Sequence, residues 1–230
     1  MPDGTSRFKT LDGKTIYHFM GCSTFSEYTV ICEISAAKIN SQANLTNCSM
    51  LGCGVATGWG AVFNNCKVEP NSTVAVFGLG AVGLAVIQAA QKAGATDIVG
   101  VDINSKKFEI AKKFGATHCF NSLEVPDKDI KKAMLARQKW GYDYTFDCTG
   151  ITAVMRDALE VAHRGWGESC VIGVAAAGHE IKTRPFQLVT GRVWKGTAFG
   201  GWKSRTEVPK LVQSVIRDEL PIDDFVTHNI

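Results

Sequence analysis

No run of apolar residues in this chain approaches the roughly 20 needed to cross a bilayer, which excludes a membrane-spanning helix. No cluster of lysine and arginine is interleaved with aromatics, and the formal net charge is only +3, so nucleic acid is not the expected partner. Cys-x-x-Cys pairs are missing as well. The eight cysteines (Cys22, Cys32, Cys48, Cys53, Cys66, Cys119, Cys148 and Cys170) are scattered through apolar segments, the pattern of small buried hydrophobes in a reducing compartment rather than of a disulfide framework. The five histidines, His18, His118, His163, His179 and His228, have neither H-x-x-x-H nor H-E-x-x-H spacing and read as surface or capping residues. Trp59, Trp140, Trp166, Trp194 and Trp202 follow no period and read as core or interface. There is no repeat and no low-complexity tract. The first residues are polar and lack the apolar segment of a secretion signal, so a cytoplasmic protein is expected.

What is present is a soluble composition, 45% hydrophobic and 20% charged, over 230 residues: room for one large domain or two small ones. The most specific run is Val74-Ala75-Val76-Phe77-Gly78-Leu79-Gly80-Ala81-Val82-Gly83. A buried-strand pattern breaks into G-x-G-x-x-G and then into a helix-forming stretch. An acid, Asp102, closes the next strand about twenty residues on, which is the context a dinucleotide fingerprint requires. Gly78 permits the tight turn, Gly80 lets the backbone approach a pyrophosphate, and Gly83 lets the helix pack on the strand. The helix N-terminus then offers free N–H groups and partial positive charge to the phosphates.

Asp102 at a strand tip suits the two adenine-ribose hydroxyls; capping of the helix from Asn104 onward is the compatible alternative. A ribose 2′-phosphate there would face a like charge. At about 4 Å and an effective dielectric near 20 that costs on the order of 4 kcal/mol per unit charge, so NAD is expected over NADP. Lys107, one turn into that helix, is placed either to reach the ribose or to stay solvated.

Around this motif the pattern alternates. Strands are expected over residues 72–77, 97–101, 118–120, 142–148 and 169–174, and helices over 81–92, 105–113, 130–139 and 152–163. Such alternation implies parallel βαβ units with right-handed crossovers. Residues 26–34, rich in β-branched side chains, read as a further strand. The glycine-rich 45–63 segment reads as a packed turn leading into a helix that ends near Asn64. Residues 193–199 read as a strand and 208–219 as an amphipathic helix.

The chain resembles the zinc-dependent medium-chain alcohol dehydrogenases, and within them the class III enzymes. The resembling stretches are Met1-Pro2-Asp3-Gly4-Thr5-Ser6-Arg7-Phe8, Ser23-Thr24-Phe25-Ser26-Glu27-Tyr28-Thr29-Val30, Leu51-Gly52-Cys53-Gly54, the glycine loop with Val101-Asp102-Ile103-Asn104, and Thr183-Arg184-Pro185-Phe186-Gln187-Leu188-Val189-Thr190-Gly191-Arg192 running on to Ser204.

The resemblance implies an α/β fold: a Rossmann-type doubly wound parallel sheet over residues 55–197. It would be flanked by parts of a mainly β catalytic domain at 1–54 and 198–230. It implies that Cys53 is a catalytic-zinc ligand and that Thr57, Val82, Ile172, Thr197 and Phe199 surround the nicotinamide. It gives Asp102 and Lys107 to the adenine ribose, and Arg7 to the carboxylate of a glutathione adduct. The implied reaction is hydride transfer from a zinc-bound alkoxide to NAD. S-(hydroxymethyl)glutathione becomes S-formylglutathione in formaldehyde detoxification, with other primary alcohols as further substrates. A cytoplasmic homodimer pairing through residues 193–199 is also implied. The family's other zinc ligands fall upstream of Met1 and its C-terminal arginine beyond Ile230, which implies a partial chain. An NAD-binding or dimerising fragment without turnover is then the alternative function.

Overall fold

The computed structural model describes residues 3–227; residues 1–2 and 228–230, His228 among them, lie outside it. Its centre is a six-stranded parallel sheet. After a two-residue hairpin, β1 (Phe8–Lys9) with β2 (Thr15–Ile16), come β3 (Thr73–Phe77), β4 (Asp97–Asp102), β5 (His118–Asn121), β6 (Tyr144–Asp147), β7 (Glu168–Val171) and β8 (Val193–Gly196). The sheet order is β5-β4-β3-β6-β7-β8. The helices are α1 (Leu45–Cys48), α2 (Gly54–Gly60), α3 (Ala81–Lys92), α4 (Phe108–Lys113), α5 (Ile130–Arg137), α6 (Thr152–Val161), α7 (Phe186–Val189) and α8 (Ser204–Ile216).

The sequence of β3 explains its central place. All of Val74, Ala75, Val76 and Phe77 are buried, as a strand covered on both faces must be. Successive residues alternate between two cores. Val74 and Val76 join α2, α3 and the C-terminal segment, through Leu51, Val62, Ile87, Leu211 and Phe225. Ala75 and Phe77 join α5 and α6, through Met134, Ala158 and Val161. From β3 the chain winds outward through β4 to β5, returns to β6 on the other side of β3, and winds outward again. The order reverses between β3 and β6, so a crevice opens there at the carboxyl ends of the strands.

The C-terminal segment is fastened to the same core. Trp202 Nε1 donates to Ala56 O at 2.8 Å and Asn64 Nδ2 to Gly200 O at 3.1 Å. The Phe114 and Phe225 rings meet edge to face at 4.6 Å. At Gly60 a Cβ would stand 2.1 Å from Gly200 O, so this close approach requires glycine.

Three elements differ from the sequence expectation. Residues 26–34 form no strand: they are exposed, Val30 at 98%, with a single tight turn at Glu33–Ser35. A β-branched composition gives a strand only where a neighbouring ladder takes up its N–H and C=O groups, and among the described residues none lies beside this segment. β8 ends at Gly196 rather than Phe199, because Phe199 turns to φ +53 and leaves the ladder. α8 begins at Ser204 rather than Val208. Glu207 Oε2 reaches back to accept the Lys203 N–H at 2.6 Å and closes the first turn ahead of Pro209.

Candidate functional site

The glycine turn is held from both sides. Gly78 N–H donates to Val101 O at 2.8 Å, and Cys148 N–H donates to Phe77 O at 2.8 Å, so β4 and β6 both grip the end of β3. Gly78 has φ +91, which a side chain disfavours. At Gly83 a Cβ would stand 1.8 Å from Gly78 O, so the helix sits against the strand end only without one. Gly80 is different. Its φ is −86, and a Cβ there would meet nothing within 4 Å. Neither backbone strain nor a protein neighbour demands glycine at this position. The space is open to the cleft, where a bound diphosphate would lie. α3 starts directly after it with no side-chain cap, leaving its first-turn N–H groups for a ligand.

Asp102 stands at the tip of β4, its side chain 7% exposed. Oδ2 accepts from Leu79 N–H at 2.8 Å and from Lys107 Nζ at 3.0 Å, and Oδ1 accepts from Asn104 N–H at 3.0 Å. Burial pushes this carboxyl up, but the Leu79 N–H, the Lys107 ammonium and the Asn104 N–H together bring it below its ordinary value. It is therefore an anion at neutral pH, tied to the glycine turn and to the following helix at once. Asp102 lines the crevice, and the cap of the following helix is Asn104, whose side chain accepts from Lys106 N–H at 3.1 Å.

These residues line one cleft of about 480 Å³. Gly78, Leu79, Gly80, Asp102, Ile103 and Lys107 form one wall, and Cys148, Thr149, Ile151 and Val154 another. The second wall is not marked by any motif. It is built by Asp147, fully buried at the end of β6. Its carboxylate accepts from Thr149 Oγ1 (2.6 Å), Thr149 N–H (3.1 Å) and Gly150 N–H (3.3 Å). The signal in the sequence is Asp147-Cys148-Thr149-Gly150 directly after an apolar strand. Cys148 is kept a neutral thiol by its burial.

Ile172 follows β7, its N–H donating to Asp147 O at 2.9 Å, and Thr197 follows β8, its N–H donating to Val171 O at 3.2 Å. In a parallel sheet both therefore stand on the carboxyl edge with Gly78 and Asp102. Val82 lies half-buried in the first turn of α3, Thr57 is buried in α2, and Phe199 sits in the turn packed against α2. Arg7 is not brought to this group. It is exposed beside the N-terminal hairpin, its backbone N–H donating to His18 Nε2 at 3.4 Å. Cys53 is exposed at the start of α2. Among the described residues no three His, Cys, Asp or Glu side chains gather where they would hold a metal ion, so these residues do not by themselves fit a zinc site.

The family described as zinc-binding dehydrogenase matches residues 81–217, more than half of the chain. The chain belongs to the zinc-binding dehydrogenase family. It is 62% identical, over 231 residues and 99% of its length, to the alcohol dehydrogenase class-3 of Caenorhabditis elegans, of which it covers 60%. It is 57% identical over its whole length to the S-(hydroxymethyl)glutathione dehydrogenase of Escherichia coli O1:K1 / APEC, of which it covers 62%. The chain thus spans less than two thirds of these relatives. Among solved structures, an alcohol dehydrogenase zinc-binding domain protein from Burkholderia ambifaria superposes with a TM-score of 0.82 at 34% identity. That match takes in 96% of this chain and 60% of the other. Benzyl alcohol dehydrogenase from Acinetobacter calcoaceticus gives 0.80 at 29%, over 88% and 55%. The parallel sheet with helices on both faces is the fold shared with these two alcohol dehydrogenase structures.

Proposed function

We propose that this chain binds NAD across the carboxyl edge of its sheet and supplies the coenzyme side of an S-(hydroxymethyl)glutathione dehydrogenase. One observation carries the reading: the Asp102 carboxylate, at the strand tip, is bonded to the N–H of Leu79 within the Gly78–Gly83 turn and lines the same cleft. The diphosphate lies over Gly80 on the N-terminus of α3. The adenine ribose lies on Asp102. A carboxylate has about four acceptor positions, and three are taken here, so one ribose hydroxyl adds directly. A second is accepted when Lys107 swings from the carboxylate to the sugar. A 2′-phosphate would meet Asp102 as a like charge, which favours NAD over NADP.

The nicotinamide end extends toward Thr57, Val82, Ile172, Thr197 and Phe199. Bound there, NAD would supply the hydride acceptor for the adduct's carbinol carbon, whose hydroxyl proton would pass to water, giving S-formylglutathione and NADH. Arg7, exposed and cationic, is the proposed partner of the glutathione carboxylate. No step is assigned to Cys53 or to zinc. The coenzyme unit is proposed to span residues 55–197, with 1–54 and 198–230 on the substrate side. The outer edge of β8 is a ready pairing edge for a second copy, so a homodimer is proposed. Eight free thiols fit a reducing compartment, and so the cytoplasm.

The test is a thermal-shift titration of the folded protein with NAD and with NADP, followed by NADH production from glutathione plus formaldehyde in a protein that contains this chain within the family's full length. The reading expects a larger shift with NAD and turnover dependent on glutathione. Equal shifts with both coenzymes, or turnover indifferent to glutathione, would contradict it.

A further inference from the structure

Cys66 and Cys170 lie far apart in the chain and outside the coenzyme cleft, yet the fold brings both thiols to one amide oxygen. Cys66 ends the wide helical extension of α2 over Ala61–Cys66, and Cys170 lies within β7. Both belong to the same core, Cys170 fully buried and Cys66 at 5% exposure. Both thiols point at one acceptor, Asn65 Oδ1, at 3.9 and 3.6 Å.

Lys195, the β8 residue paired in register with Cys170, reaches over them. Its ammonium donates to Asn65 O at 3.0 Å and lies 2.5 Å from Glu168 Oε2. The bond from Cys66, and with it the Lys195 ammonium, holds the Cys170 thiol below its ordinary range in spite of burial; the same bond, then burial, drives Cys66 far above it. The Lys195 ammonium favours a thiolate at this pair. A buried cysteine alone is an inert small hydrophobe. Here two thiols share one acceptor, Asn65 Oδ1, and the Lys195 ammonium bonds the backbone carbonyl of the same residue.

We propose that Cys66 and Cys170 form a redox site that reacts with small peroxides to give a reversible disulfide, fastening the end of the α2 extension to β7. The Cys170 thiolate attacks one peroxide oxygen and the O–O bond breaks. The departing hydroxide takes a proton and leaves as water, and Cys170 becomes a sulfenic acid. The Cys66 sulfur, giving up its proton, then attacks that sulfur; the S–O bond breaks and a second water leaves. Two thiols are oxidised and one peroxide is reduced to two waters. This site is independent of the coenzyme reading above. Cys148 is the competitor, near enough to Cys170 to feel its charge.

The experiment uses the whole chain in its native fold. Protein is treated with equimolar hydrogen peroxide, quenched with iodoacetamide in denaturant, and digested without reductant for mass spectrometry. Circular dichroism before and after treatment checks that the fold persists. The expected result is a Cys66–Cys170 cross-linked peptide pair, two hydrogens lighter than the two free peptides, that disappears on adding dithiothreitol. In Cys66→Ala the cross-link is lost, Cys170 stops at the sulfenic acid, and a second equivalent of peroxide carries it to the sulfinic acid. Full alkylation of both cysteines at a peroxide dose that already oxidises exposed Cys32 or Cys53 would overturn the proposal. Capture of Cys170 by Cys148 instead of Cys66 would overturn it too.

Discussion

Asp102 holds three donors before any ligand arrives, and that fixes what its replacement should do. In Asp102→Asn one acceptor oxygen becomes an amide facing donors that need an acceptor. A charge-assisted bond of this kind is worth about 1.5–3 kcal/mol, so the NAD dissociation constant is expected to rise roughly 10- to 100-fold. The pH dependence has a definite sign. The folded pKa lies below the unfolded value of 3.8, so the carboxylate adds stability that is present above pH 3.8 and lost as pH falls through the lower folded value. The difference in melting temperature between wild type and Asp102→Asn should hold from pH 7 down to about 4 and shrink below it. A gap that widens on acidification would rule out this assignment. Asp102 was legible in the sequence because its spacing from Gly78 is a known fingerprint. Asp147 was not: its role as the anchor of the opposite wall depends on three bonds within a loop whose shape no spacing rule specifies. Arg7 entered through resemblance alone, and the Cys66–Cys170 pair became visible only when the sheet brought β7 beside the end of the α2 extension.

The strand–turn–helix of β3 and α3 separates folding from binding within one motif. Gly83→Ala drives a methyl into Gly78 O and should cost about 1–3 kcal/mol of stability, read by urea unfolding. Gly80→Ala places its methyl in open space at an ordinary φ, so stability should stay within about 0.5 kcal/mol of wild type while NAD binding weakens. Equal loss of stability in both variants would mean that Gly80 serves the fold and not a ligand. The βαβ elements were legible because a fully apolar strand between helical patterns has few other uses. Residues 26–34 carry the same β-branched signal without a partner ladder, and composition cannot report a missing neighbour. The early end of β8 and the early start of α8 follow from one positive φ and one side-chain cap, both below the resolution of periodicity.

For the molecule as a whole, order is graded along the chain. The buried residues of the two cores run from Cys48 to Phe225, with Ile39 and Ala43 packed against them. Before Ile39 most of the described residues are exposed. Leu11, Phe25, Tyr28 and Val30 stand at 90% exposure or more, and the only strand pairing among the described residues there is a two-residue hairpin. Segments with few buried contacts open at low free-energy cost. Limited proteolysis should therefore cut first within residues 3–44 and leave a resistant core beginning near Leu45, with or without NAD. Early cleavage inside β3 to β7 would contradict this division. These exposed apolar side chains are open to an apolar dye, and the untrimmed chain should bind 8-anilinonaphthalene-1-sulfonate more strongly than the trimmed core.

The central claim is that a dinucleotide rests on the turn after β3 and is tethered by Asp102. Isothermal titration of NAD into the folded chain, run in parallel on Gly80→Ala, tests it most directly. The account predicts one NAD per chain for wild type and clearly weaker binding by an equally stable Gly80→Ala protein. Saturable binding of the same strength in both proteins, or no heat from well-folded wild type, would contradict it.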